Sequence, residues 1–150
     1  MRVIPRFSCF NVEDMIDQRT QMYEVLSTDT LRPAEHIAIK RYKGLYWHHL
    51  IVSDVINHKE IDVIHLSGVA GVQSKRNALV KKEVVDVKKY IDDGDLYRVP
   101  HSKARPASVV LREATRMIGE GGYELFSNNC EHFVNWCKTV ASHAHKHMKR

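Results

Sequence analysis

The spacing of apolar residues changes along the chain, and the first segment has the spacing of a helix. Between residues 11 and 26 apolar residues recur at intervals of three and four, and Asn11 is suited to cap the N-terminus of a helix. Pro33 and the polar residues before it interrupt this pattern. The chain therefore divides into a predicted N-terminal helical appendage, residues 1–30, and a main domain, residues 31–150. The apolar positions of the predicted helix are Val12, Met15, Ile16, Met22, Tyr23 and Leu26.

From residue 35 onward apolar and polar residues alternate, as they do in half-buried strands. The first three predicted strands are joined by connections too short for parallel crossovers, so they form an antiparallel meander. A turn-rich segment, residues 92–95, separates the last two strands. The predicted strands cover residues 35–43, 47–52, 61–66, 80–87 and 96–99.

Two helices are predicted after the strands. The first starts near Pro106 and ends before Gly119, and the second follows Asn128 and Asn129. Strands followed by helices indicate an α+β fold, with an antiparallel sheet packed against helices. The second helix carries one apolar stripe, composed of Cys130, Phe133, Val134, Cys137, Val140 and Ala141.

The composition, 43% hydrophobic and 27% charged, is that of an ordinary globular protein. No apolar run approaches the roughly 20 residues that span a bilayer, so no transmembrane segment is predicted. Three cysteines, Cys9, Cys130 and Cys137, form no CxxC pair, which argues against a disulfide framework and against structural zinc. We therefore expect a reducing compartment, no metal and no cofactor.

The net charge of +5 favours an acidic partner, either nucleic acid or anionic lipid. The C-terminal segment from residue 138 contains cations and no acid, which predicts non-specific binding to RNA phosphates. A solvated basic face explains the same residues without any ligand. The predicted RNA-binding residues are Lys138, Lys146, Lys149 and Arg150.

Cys130 has the chemical setting of a nucleophile, because it falls at the start of the last predicted helix with Asn128 or Asn129 as the cap. Free backbone N–H groups at a helix start stabilise a thiolate and can receive the oxyanion of an attacked carbonyl. His48, on a predicted strand, is placed to act as the base, and His65 on the next strand to orient it. His132 is expected to reach back to the backbone at the helix start.

Each of these residues also has a purely structural explanation. A cysteine on an apolar helical stripe is more often a small core residue than a nucleophile, and this applies fully to Cys137 and to Cys9. His48 and His49 point to opposite faces of their strand, so only one of them serves the site. Spacing does not choose between the two.

Three segments resemble the LRAT-like H-box/NC family, which includes lecithin:retinol acyltransferase and the phospholipase A/acyltransferases. Residues 129–135, NCEHFVN, are similar to the NC motif of that family, and residues 46–51, YWHHLI, are similar to its H-box. Residues 63–66, VIHL, resemble the segment that carries a further histidine of its site. The resemblance covers about residues 31–139 and implies a papain-like, LRAT-like fold.

The resemblance also implies a role for each matching residue. Cys130 corresponds to the nucleophile, His48 to the base and His65 to the supporting histidine, with Asn129 in the NC motif. The implied reaction is attack on a lipid ester, which forms an acyl-thioester at Cys130. A protease uses similar residues, but the family resemblance argues against one.

Several departures resemble a narrower group, the H-box/NC type of picornavirus 2A protein, as in parechoviruses. Ala34-Glu35 stands where cellular members carry Gly-Asp, His49 stands beside the base, and a basic tail replaces a hydrophobic anchor. This implies a viral non-structural protein that is accessory to genome replication. Its partners would be RNA, host proteins and a phospholipid membrane surface, in the host-cell cytoplasm or at membrane-associated replication sites. The alternative is a thiol phospholipase A/acyltransferase.

Overall fold

A seven-stranded antiparallel sheet forms the centre of the structure, a computed structural model that describes residues 2–5, 21–68, 78–121 and 130–140. The strands are β1 (Val3–Pro5), β2 (Gln21–Glu24), β3 (His36–Arg41), β4 (Tyr46–Val55), β5 (Glu60–Ser67), β6 (Leu79–Asp86) and β7 (Leu96–Arg98). The helices are α1 (Lys88–Asp93), α2 (Ala107–Arg116) and α3 (Cys130–Asn135), and α3 continues as a π-helical segment, Trp136–Val140. The predicted α+β class is confirmed.

The order of strands across the sheet is β1-β2-β7-β3-β4-β5-β6, and neighbouring strands are antiparallel. Strands β3 to β6 follow one another in space as they do in sequence, which confirms the predicted meander. β7 does not continue it, but returns to the other edge of β3, where Ala38 pairs with Tyr97.

Both faces of the sheet are buried, and alternating side chains along each strand contribute to the two faces. On one face Leu50 and Val63 belong to a cluster that α1 covers through Tyr90 and Ile91. On the other face Ile51 and Ile64 pack against α2 and α3. Because side chains alternate along a strand, adjacent residues of β4 face different layers of the protein.

β4 and β5 pair over only part of their lengths, and this positions the candidate site. Their register runs from Val55–Ile61 to Ile51–Ile64, with an irregularity between Val52 and Asp54. The first residues of β4, 46–50, pair with β3 on the opposite edge. The N-terminal half of β4 therefore presents backbone groups on the side from which β5 has separated.

The predicted N-terminal helix is wrong where the structure describes it. Met22 and Tyr23 lie in strand β2, where Tyr23 pairs with Val3 on one side and with Arg98 on the other. Leu26 follows that strand and is exposed. Pairing with two neighbouring strands outweighs the local helical spacing. The remaining helix positions, Asn11, Val12, Met15 and Ile16, lie outside the described residues.

Smaller differences concern the helices. The first half of the segment predicted as a turn, Asp92 and Asp93, belongs to a short helix, α1, which is capped by Gly94 in the left-handed conformation. Pro106 is the N-cap residue of α2, so the first helical residue is Ala107. The helices within the described ranges are all too short or too polar to cross a membrane.

Position 121 has no room for a side chain, because two segments of the chain approach each other closely there. This gives a test of the fold. A β-carbon at this position would lie 2.3 Å from the carbonyl oxygen of Ala78, beside the bridge between Leu79 and Gly121. We expect Gly121→Ala to lower the free energy of unfolding by about 1–3 kcal/mol, the usual cost of overpacking. Urea denaturation provides the measurement. Glu120→Ala, at an exposed neighbour, should change it by less than about 0.5 kcal/mol.

Candidate functional site

The thiol of Cys130 lies against the free edge of β4. Its sulfur accepts a hydrogen bond from the backbone N–H of His49 at 3.2 Å and donates to the carbonyl oxygen of Trp47 at 3.7 Å. The hydroxyl of Tyr46 is 3.5 Å from the same sulfur. Cys130 is the first residue of α3 and is only 4% exposed. The thiol therefore occupies the place from which β5 has separated.

Hydrogen bonds between side chains link His48 on β4 to the next two strands, β5 and β6. Its Nε2 lies 2.7 Å from Nδ1 of His65, and the Nε2 of His65 lies 2.9 Å from a carboxylate oxygen of Glu83 on β6. The rings of His48 and His65 meet edge to face. The predicted pair is therefore brought together, and the structure adds Glu83 as a third member.

The carboxylate at the end of this chain decides which nitrogen carries each proton when both rings are neutral. A carboxylate only accepts hydrogen bonds, so the Nε2 of His65 carries its proton. Nδ1 of His65 is then the acceptor, and Nε2 of His48 donates to it. Nδ1 of His48 is left with a lone pair, and it is buried without a hydrogen-bond partner among the described residues.

Burial opposes ionisation of both reactive groups. It lowers the pKa of His48 well below its usual value, and the nearby His65 and Arg41 lower it further. It also raises the pKa of the Cys130 thiol, although the hydroxyl of Tyr46 and the N–H of His49 act in the opposite direction. The described residues contain no hydrogen bond between Cys130 and His48. The resting pair at neutral pH is a thiol and a neutral imidazole.

His49 belongs to a second hydrogen-bonded chain on the opposite face of β4. Its Nδ1 is 2.7 Å from Nε2 of His36, whose Nδ1 is 2.8 Å from Nε2 of His101. The Nε2 of His49 lies 4.0 Å from a carboxylate oxygen of Glu131, the residue after the cysteine. Within the described ranges no group of three or more His, Cys, Asp or Glu residues is arranged to hold a metal ion.

The two hydrogen-bonded networks distinguish the role of His48 from that of His49, a distinction that sequence spacing did not provide. The ring of His48 joins His65, whereas the ring of His49 joins His36 and only its backbone N–H reaches the thiol. The role proposed for His132 stays a prediction: the residue is half-buried in the first turn of α3. Asn128, Asn129 and Cys9 lie outside the described residues.

The predicted RNA-binding residues are mostly beyond the described ranges. Lys146, Lys149 and Arg150 fall outside them. Lys138 is half-buried, donates from Nζ to the carbonyl oxygen of Ala34 at 2.9 Å, and has a pKa lowered by burial. RNA binding stays a prediction. Cys137 is fully buried, and burial raises its pKa, as expected for a core cysteine.

Sequence reasoning missed Tyr46, Glu83, His36 and His101 as neighbours of the site. Tyr46 had a usable signal, because it lies two residues before His48 and therefore on the same face of β4. Glu83 had none, since its approach to His65 depends on the register of β5 against β6. His36 and His101 are brought together by the packing of a strand and a loop distant in sequence.

Comparison with known proteins gives two matches. Residues 29–143 match the family described as lecithin retinol acyltransferase. A human protein, phospholipase A and acyltransferase 2, is 33% identical over 114 residues, which cover 69% of this chain and 68% of that protein. No solved structure matches the chain. The viral 2A resemblance receives no support from these matches.

The buried, neutral state of His48 should make folding sensitive to acid. The unfolded chain takes up a proton on this histidine below about pH 6.5, while burial keeps the ring neutral in the folded protein. The free energy of unfolding should therefore fall as the pH drops, with a slope of up to about 1.4 kcal/mol per pH unit for one proton. Urea denaturation at several pH values measures the slope.

His48→Leu removes this contribution, so the slope below about pH 6.5 should become shallower. His58, exposed on the β4–β5 turn, provides the matched control, and His58→Gln should keep the slope of the original protein. Equal slopes for the original protein and His48→Leu would contradict the assignment.

The hydroxyl of Tyr46 should make the thiol more acidic, because it hydrogen-bonds the sulfur and stabilises the thiolate. Tyr46→Phe should raise the pKa of Cys130 and slow its alkylation by iodoacetamide at pH 8 by roughly tenfold, the effect expected when a charged group loses one hydrogen bond. Mass spectrometry of the modified peptide gives the rate. Tyr42→Phe, at an exposed tyrosine that makes no such contact, should react at the original rate.

Proposed function

The chain belongs to the lecithin retinol acyltransferase family, and we propose that it is a thiol phospholipase A/acyltransferase that forms an acyl-thioester at Cys130. The human relative of similar sequence is a phospholipase A and acyltransferase by name. Cys130 is the proposed nucleophile, His48 the proposed base, and His65 the positioning residue that holds His48.

The hydrogen-bonded chain of His48, His65 and Glu83 is the observation that carries this proposal. A general base needs an unprotonated nitrogen, and the hydrogen bonds to His65 and Glu83 leave that lone pair on Nδ1 of His48. A histidine that serves only as core structure would be expected to use both ring nitrogens, since buried polar atoms are nearly always paired. Nδ1 of His48 is buried and lacks such a partner within the described residues.

The proposed reaction has two stages. Nδ1 of His48 takes the thiol proton as the sulfur bonds to the ester carbonyl carbon, and the tetrahedral intermediate then expels the lysophospholipid alkoxide. His48 returns its proton to that alkoxide, which leaves an acyl-thioester on Cys130. Water or an amine then attacks the thioester carbonyl and releases the thiol.

Two donors already at the sulfur are suited to the charge that develops. The backbone N–H of His49 and the hydroxyl of Tyr46 both point to Sγ before reaction. Hydrogen-bond donors fixed in a dry site stabilise a developing anion strongly, because little reorganisation is needed. They therefore stabilise the negative charge on the sulfur as its proton moves to His48.

The alternative of a viral accessory protein rests on departures from the cellular family, such as Ala34-Glu35 in place of Gly-Asp and the basic C-terminal residues. The family match and the human relative favour lipid chemistry instead. RNA and host-protein partners stay predictions. The two roles are chemically compatible, since a replication factor can also modify lipid.

The acyl-thioester provides the direct test. Incubation with phosphatidylcholine and rapid acid quenching should add the mass of one acyl group to the Cys130 peptide. Cys130→Ala should give no adduct, and His48→Gln should reduce the rate of adduct formation by at least about a hundredfold, as expected on losing a general base. Hydroxylamine should remove the adduct, because it cleaves thioesters.

Cys137→Ala is the matched control, because Cys137 lies two turns along the same helical stripe and is fully buried in the apolar core. It should keep the adduct on Cys130. Absence of any adduct on the original protein, with Cys130 still reactive toward iodoacetamide, would refute the proposed function.

A further inference from the structure

We propose that the β3–β4 turn, residues 41–46, is the surface through which this protein docks on an anionic phospholipid membrane, with Arg41 binding headgroup phosphate. The inference rests on the proposed function, since it supplies the surface by which lipid reaches Cys130. It concerns binding, however, and its test does not depend on turnover.

The turn exposes a concentration of large apolar side chains. Leu45 is 90% exposed and Tyr42 is 71% exposed, and the next residue, Tyr46, is 43% exposed. Tyrosine is favoured at membrane interfaces, where its ring meets the acyl boundary and its hydroxyl stays in the headgroup layer. Single exposed apolar residues are common on proteins, but three within five consecutive positions form a patch.

The chain segment that carries this patch contains cations and no acid. Residues 40–49 contain Lys40, Arg41 and Lys43 but neither Asp nor Glu. An apolar tip beside basic side chains is complementary to a bilayer, whose acyl chains lie below anionic headgroups. The positive charge of this segment therefore favours an anionic lipid surface as the partner.

Arg41 has the properties of a phosphate ligand. Its Nε is buried without a hydrogen-bond partner among the described residues, and its guanidinium lies 5.9 Å from the ring centre of Tyr90. Its positive charge lowers the pKa of both His48 and His65, which places it within electrostatic reach of the site. A guanidinium binds phosphate through paired N–H donors.

The backbone holds the turn in an unusual conformation. Tyr42, Lys43 and Gly44 have consecutive positive φ angles of 51°, 55° and 91°. A left-handed conformation is unfavourable by about 1 kcal/mol or more at each non-glycine residue. Such a conformation persists only where the surrounding structure maintains it, so the strands on either side hold the backbone of this exposed tip.

Tyr46 connects the turn to the nucleophile. It pairs with Arg41 across β3 and β4, and its hydroxyl contacts the sulfur of Cys130. Cross-strand partners project from the same face of a sheet. A phospholipid whose phosphate is bound by Arg41 is therefore held beside the side chain that covers the thiol.

Sedimentation with sucrose-loaded vesicles tests the proposal. The protein should bind vesicles of equal parts phosphatidylcholine and phosphatidylserine more tightly than phosphatidylcholine alone, and high salt should weaken binding. The double variant Tyr42→Ser/Leu45→Ser should lower the partition coefficient by at least about tenfold through lost apolar insertion. Lys43→Gln and Arg41→Gln should each lower it about fivefold. Thermal melts check that each variant is folded.

The β4–β5 turn supplies matched controls at the opposite end of β4. Ile56 and Lys59 are an exposed apolar residue and an exposed cation there, and Ile56→Ser and Lys59→Gln should keep the original partition coefficient. The proposal is overturned if the protein does not bind the mixed vesicles, or if control and turn variants lose binding equally. It is also overturned if the turn variants abolish self-association or RNA binding but leave vesicle binding intact.

Cys130→Ala separates this proposal from the proposed function, because it removes the nucleophile and should leave vesicle binding unchanged. If no acyl-thioester forms but vesicle binding requires the turn, the enzymatic proposal fails and the docking surface stands. If the thioester forms and the turn variants bind vesicles like the original protein, the docking surface fails alone.

Discussion

β4 and β5 pair up to Ile51 and Ile64 and then separate, and the candidate site depends on this separation. Backbone N–H and C=O groups at a buried strand edge must find other partners. The thiol of Cys130 takes that place, since it contacts the N–H of His49 and the carbonyl of Trp47. The position of the sulfur is therefore set by the sheet and by the packing of α3.

Burial holds the side chains of the site in place, and it also opposes ionisation of Cys130 and His48. Burial raises the pKa of Cys130 and lowers that of His48, so a thiolate–imidazolium pair is unfavourable in this buried site. Hydrogen bonds in such a dry environment are strong, however, and they fix the ring of His48 and its tautomer. The buried hydrogen bonds therefore hold Cys130 and His48 in place in their neutral forms.

The proposed membrane docking would bring a phospholipid to this site through a single short connection. The same short connection between β3 and β4 carries exposed apolar side chains, cations and the tyrosine that contacts the sulfur. Association with a membrane would change the surroundings of Tyr46 and Arg41 together. Arg41 lowers the pKa of His48 and Tyr46 lowers that of Cys130, so the proposed docking would alter the protonation of both proposed catalytic groups.

The α+β class, the meander and the buried stripe that carries Cys130 were predictable without a structure, because they follow from the period of apolar residues along continuous segments. The sequence also identified His48, His49 and His65 as site candidates. It failed at Met22 and Tyr23, where local spacing indicated a helix and pairing with β1 and β7 imposed a strand.

The partner of each histidine became evident only from the folded arrangement of the strands. His48 and His49 are adjacent in sequence, and the direction of their rings depends on which face of β4 meets His65 and which meets His36. Glu83 joins the site through the register of β5 against β6, which no local pattern encodes. The contact between Cys130 and the edge of β4 likewise joins residues more than eighty positions apart. Spacing along a chain specifies periodicity, whereas register and layer packing specify which side chains meet.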